Sequence, residues 1–111
     1  MKIINLYSFR ETPHFTKRLA KHLSDDEYSE LQWFLIDQPE VGKVVPGGGG
    51  IRKMRWQAEG RGKRGGLRVI YYLATAQGEI FLLDLYAKNE RADLSPDDLR
   101  DLRELVKEWL G

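Results

Sequence analysis

The sequence predicts one α+β domain, built as strand, helix, helix, three antiparallel strands and a last helix along 111 residues. Two patterns and one total lead there. Apolar residues recur at helical spacing before residue 38 and again after residue 94, while the stretch between them alternates with period two. The composition, 41% hydrophobic and 32% charged, belongs to a chain that folds around a core rather than a disordered one. A chain of this length buries roughly two-thirds of its unfolded surface, enough for a core without staples.

Ile3 to Phe9 is short, rich in β-branched and aromatic residues, and closed by Thr12-Pro13, so it reads as the first strand. Thr12 is then a helix cap with proline in the first helical position, and Phe15, Leu19 and Leu23 give that helix one apolar stripe. Ser24 and Glu27 have the capping-box spacing, with Leu23 and Tyr28 placed for a hydrophobic staple. Tyr28, Leu31, Phe34 and Leu35 form the buried face of this second helix, which must stop before Pro39. Gln38 to Gly50 is a mobile or turn-forming linker by composition. It lacks the lysine and hydroxyl of a phosphate-cradling loop.

In Ile51 to Gln57, alternation puts Met54 and Trp56 on one face and Lys53 and Arg55 on the other. Leu67 to Ala74 is the next strand, and Glu79 to Ala87 follows a Gln77-Gly78 turn. The near-continuous apolar character of the latter marks a central strand covered on at least one face. Leu94, Ser95, Pro96 and Leu99 repeat the staple and cap, and Leu99, Leu102, Val106 and Trp109 carry the last helix inward. No repeat is present, and residues 1–111 form one domain.

Composition removes several function classes. Without cysteine there is no disulfide framework, thiol nucleophile or cysteine zinc site, which fits a reducing cytoplasm. No apolar run approaches the ~18 residues of a membrane span, and the start carries no cleavage signal, so it reads as mature protein. His14 and His22 have no carboxylate at metal spacing and read as surface or packed side chains. The formal net charge of +1 conceals segregation. Ser24 to Glu40 and Glu90 to Glu108 are acidic, and both read as solvated flanks. Arg52, Lys53, Arg55, Arg61, Lys63, Arg64 and Arg68 crowd between Ile51 and Tyr72 against Glu59 alone. Such a hairpin repels itself unless an anion compensates it, and Trp56, Tyr71 and Tyr72 among the bases suit RNA. RNA can be cut by its own 2′-hydroxyl if the phosphate is held in line and its growing charge is stabilised by fixed cations. Lys53, Arg55 and Arg68, with Tyr86, Lys88 and Asn89 at the end of the last strand, are the candidates.

The segments GGIRKMRW, GRGKRGGLRVIYY and LLDLYAKNERADLS together resemble the HigB-like branch of the RelE superfamily, the toxins of bacterial type II toxin–antitoxin systems. The resemblance implies a RelE-like fold and a cytoplasmic, metal-independent endoribonuclease without cofactor. Such an mRNA interferase cuts translated mRNA in the A site of the 70S ribosome, leaves a cyclic phosphate and inhibits translation. It implies a cognate antitoxin as partner, of the helix-turn-helix, HigA-like kind, and no membrane. Position by position it assigns the cationic catalytic site to Lys53, Arg55, Arg68 and Lys88. Lys53 or Lys88 is the expected proton-transfer group, and Arg68 the expected stabiliser. Arg52, Arg61, Lys63, Arg64, Tyr72, Tyr86 and Asn89 are the expected RNA and ribosome contacts. Asn89 stands where many members have arginine. The C-terminal catalytic tyrosine of some members has no counterpart after Trp109, which leaves Tyr86 or Tyr72 as substitutes. Two further readings are a ParE-like gyrase inhibitor on the same fold and a non-enzymatic RNA-binding module.

Overall fold

The computed structural model describes residues 6–57 and 66–111. Five strands and three helices follow in the order β1 (Ser8–Glu11), α1 (Pro13–His22), α2 (Asp25–Asp37), β2 (Lys43–Val44), β3 (Arg52–Trp56), β4 (Leu67–Ala74), β5 (Glu79–Ala87) and α3 (Pro96–Leu110). The sheet order is β1-β5-β4-β3-β2, with β1 parallel to β5 and every other pair antiparallel. This is the expected α+β order with one strand added. Residues 3–5 of the expected first strand lie outside the described residues, and the paired part runs on to Glu11.

The helix starts follow from local chemistry. Thr12 Oγ1 accepts from the Phe15 amide at 3.0 Å and donates to the Leu83 carbonyl at 2.7 Å, so one hydroxyl caps α1 and ties it to β5. Ser24 with Glu27, and Ser95 with Asp98, form complete capping boxes. Gln38 ends α2 immediately before Pro39.

β5 is buried on both faces. Ile80, Leu82, Leu85 and Ala87 pack with Phe15, Leu31 and Leu35 beneath α1 and α2. Phe81, Leu83 and Tyr86 pack with Ile70 and Val106 beneath α3. The change of parity between Leu83 and Leu85 is a β-bulge. Ile70 opposes Asp84 and Tyr71 opposes Leu82, which leaves Leu83 as the extra residue.

The segment expected as a linker contains β2, whose two residues are too short for any periodicity to reveal. Gly47, Gly49 and Gly50 have positive φ and turn the chain back onto β3, closed by the bond from the Val45 amide to the Ile51 carbonyl at 2.8 Å. Among the described residues, no helix is long and apolar enough to cross a membrane.

Candidate active site

Antiparallel pairing of β3, β4 and β5 brings the cations together. Arg55 lies directly opposite Arg68, and Arg68 directly opposite Tyr86. One step outward, Lys43 of β2 lies opposite Lys53. Two directly opposed like-charge pairs work against the sheet. A fold retains them where an anion relieves the repulsion.

Arg55 and Arg68 line two adjoining hollows. The larger, about 820 Å³, is completed by Trp56, Gln57, Gly66, Lys88 and Asn89. The smaller, about 370 Å³, is completed by Phe34, Val41, Lys43, Lys53 and Met54. Of the four residues expected to be catalytic, Arg55, Arg68 and Lys88 therefore share one cleft, and Lys53 sits beside it. Asn89 joins the cleft wall.

Among the described residues, three polar atoms at this place are buried without a hydrogen-bond partner, Trp56 Nε1, Arg68 Nη1 and the Tyr86 hydroxyl. Buried donors are nearly always paired, so an unpaired guanidinium nitrogen beside an unpaired phenol marks where an outside acceptor belongs. Tyr86 is 1% exposed. Burial, seconded by the Asp93 carboxylate, pushes its phenol pKa above the ordinary tyrosine value against the pull of Arg68 and Arg91. It is a proton carrier at neutral pH.

Arg52 and Tyr72 are set apart from the cleft. Strand parity turns Arg52 to the opposite face, where its Nη1 donates to the Gly42 carbonyl at 2.7 Å and the Glu40 carbonyl at 3.1 Å. Tyr72 stacks on Phe81 at 5.8 Å beneath α3, four residues along β4 from Arg68. Of the two substitute tyrosines, only Tyr86 borders Arg68. Arg61, Lys63 and Arg64 lie outside the described residues.

Three acidic or basic residues at the site escaped the sequence reading, as did Lys43. Asp93 Oδ1 accepts from Lys53 Nζ at 3.1 Å. The Leu94 amide first, and then Lys53, hold the Asp93 pKa below the ordinary carboxylate value. Asp84, 7% exposed at the bulge, accepts from Arg18 Nη1 at 2.7 Å, Arg91 Nη1 at 3.4 Å and the Leu85 amide at 2.8 Å. Arg91 also reaches Asp98 at 3.2 Å and stands 5.5 Å from the Tyr86 ring centre. It thereby fastens the β5–α3 loop, which carries Lys88, Asn89 and Asp93, to the sheet. Two acids of the tail expected as a solvated flank, Asp93 and Asp98, thus build the site's surroundings. Glu90 anchors the same loop by accepting from the Ala87 amide at 2.8 Å, with His22 Nε2 also within 2.8 Å. Among the described residues, no group of three or more His, Asp or Glu side chains could hold a metal ion.

The mixed five-stranded sheet between helices is the fold of solved RelE toxin structures. An arginine-substituted double mutant of the E. coli toxin RelE in the free state superposes with a TM-score of 0.58 at 13% identity, covering 91% of this chain and 97% of that one. The intact E. coli RelBE toxin–antitoxin complex gives 0.53 at 16% identity, over 73% and 95% respectively. The sequence model of the family described as RelE toxin of the RelE / RelB toxin–antitoxin system matches residues 36–111. The chain belongs to the RelE toxin family.

Proposed function

We propose that this chain is a ribosome-dependent endoribonuclease that cuts translated mRNA in the A site and is neutralised by a cognate antitoxin. The observation that carries the reading is the Arg55–Arg68 pair in a cationic cleft, with Arg68 Nη1 and the Tyr86 hydroxyl both buried and unpaired. A scissile phosphate would satisfy both. Arg68 and Arg55 would stabilise the charge growing on its non-bridging oxygens, and each fixed donor of this kind contributes about 10²–10³ in rate. Lys53 adds a third cation beside them, and Lys88, at the exposed mouth, suits proton delivery to the leaving oxygen. Catalysis by fixed cations and proton transfer calls for no metal, so the reaction should survive chelation in a system whose ribosomes keep their magnesium.

The partners follow from the same surface. Phosphate contacts by bases outside the cleft would position ribosomal RNA without reading sequence. An acidic, partly disordered antitoxin segment fits a surface of this sign, whether or not the antitoxin is of the helix-turn-helix, HigA-like kind. Both partners place the work of this protein in the cytoplasm.

Brief expression of the wild type and of Arg68→Ala, followed by sequencing of message ends, tests the reading. Codon-positioned cuts with the wild type, and neither cuts nor growth arrest with the variant, are expected. Arrest with DNA damage and no cuts would favour a gyrase inhibitor, and binding without either an RNA module.

A further inference from the structure

The cationic cleft accounts for charge stabilisation but leaves one requirement open. Attack by a 2′-hydroxyl needs an acceptor for its proton. Arginine, lysine and tyrosine ordinarily carry their protons at neutral pH, so neither the cations of the cleft nor Tyr86 begins as an acceptor. Two carboxylates bear on Tyr86 from this end of the sheet, Asp84 and Asp93. Asp84 is buried at the bulge with Arg18 and Leu85 on Oδ1 and Arg91 on Oδ2. Asp93 differs on both counts. Its side chain is 63% exposed. Oδ1 is fixed by Lys53 Nζ at 3.1 Å and by the Leu94 amide at 2.8 Å, while Oδ2 takes no hydrogen bond among the described residues. One oxygen oriented and the other open is the geometry of a general base.

Resting on the endoribonuclease reading, we propose that Asp93 is the general base of this site, taking the 2′-hydroxyl proton on Oδ2 while Lys53 holds Oδ1. The step balances. As Oδ2 takes the proton, the 2′-oxygen forms a bond to phosphorus and the bond from phosphorus to the 5′-oxygen breaks. Lys88 gives a proton to the departing 5′-oxygen. The products are a 2′,3′-cyclic phosphate and a 5′-hydroxyl, after which Asp93 loses its proton to solvent and Lys88 regains one. Lys53 is thus a positioning cation and Lys88 the acid, which separates two roles that the sequence left between these lysines.

The groups facing Asp93 support this. Lys53 of β3 and Arg68 of β4, both cationic, act on its carboxylate, and Tyr86 of β5 feels its charge. Two cations act on it, so the carboxylate stays ionised, its pKa lowered first by the Leu94 amide and then by Lys53. A carboxylate base of this kind is fully deprotonated across the working range. A lysine base would instead gain activity with every step toward alkaline pH.

The test is single-turnover cleavage of a defined message on purified programmed ribosomes, with wild type and Asp93→Asn, from pH 6 to pH 9. The asparagine keeps an oxygen for Lys53 and the Leu94 amide, so ribosome affinity should hold and the melting temperature should fall only by the small loss of one exposed ion pair. The cleavage rate should fall about 10²–10⁴-fold. The wild-type rate should stay nearly flat between pH 6 and pH 8. An Asp93→Asn rate within about threefold of wild type overturns the proposal, as does a wild-type rate rising nearly tenfold per pH unit over that range. If the wild type cuts no ribosome-bound message, the endoribonuclease reading falls with it, and that outcome shows in the wild-type arm alone.

Discussion

Replacing Arg68 by methionine should make this protein more stable and inactive. Arg68 faces Arg55 directly across the ladder, and its Nη1 is buried with no acceptor. A buried donor left unsatisfied costs about 1–3 kcal/mol, and a directly opposed like-charge pair adds some tenths. Methionine retains the unbranched stem and removes both penalties. Part of the gain is lost, because a flexible apolar side chain fills a polar wall imperfectly, so a net rise of about 1 kcal/mol is expected. In a domain of this size that is roughly 4 °C in melting midpoint. Cleavage should fall by at least about 10²-fold, since a fixed donor for the transition-state charge is gone. Thermal unfolding followed by circular dichroism, paired with single-turnover cleavage, reads both quantities on one preparation. Opposite signs are the signature, because a variant that merely misfolds loses both. A methionine variant that melts well below the wild type, or cleaves within about threefold of it, would refute the assignment of Arg68 as a residue held for an anion.

Asp84→Ala should destabilise the fold by about 3 kcal/mol, since it strips Arg18 and Arg91 of the buried acid they share; denaturant titration measures this. Gly42→Ala should cost about 1–3 kcal/mol by the same measurement, because its Cβ would stand 2.7 Å from Tyr71 Cε1 and 2.8 Å from the Tyr71 hydroxyl. The pKa values of Glu90 and Asp93 are lowered in the folded state, so the stability they contribute is present above the ordinary carboxylate range. It is lost as pH falls through their folded values, and melting midpoints should decline from about pH 5 downward, less steeply in Glu90→Gln.

What could be read from the sequence was what short range determines. Thr12-Pro13, Ser24 with Glu27, and Ser95 with Asp98 announce helix starts because a cap bonds an amide only a few residues away. Lys53 and Arg55 were placed on one face because period two is a property of the strand alone. β2 was hidden, since Lys43–Val44 pairs with β3 only through the fold, and its cation went unnoticed with it. The Lys53–Asp93 and Arg18–Asp84 contacts span 40 and 66 positions, and no spacing rule reaches that far. Arg52, expected among the RNA and ribosome contacts rather than the catalytic set, shares strand parity with Met54 and so faces away from the cleft.

The bulge at Leu83 decides which end of β5 contributes to chemistry. Uninterrupted alternation from Ile80 and Leu82 would place Tyr86 under α1 and α2, on the wrong face for Arg68. The extra residue reverses parity and delivers Tyr86 opposite Arg68, with Lys88 next on the same side. Asp84 emerges at the reversal, and its two arginines come from α1 and from the β5–α3 loop. One irregularity therefore turns Tyr86 toward the cleft and supplies the buried anion that anchors the loop carrying Lys88 and Asp93. The surplus of positive charge on β3 and β4 stays unbalanced at the cleft because the nearest buried acid is already committed to Arg18 and Arg91. An anion from outside is what remains to balance it.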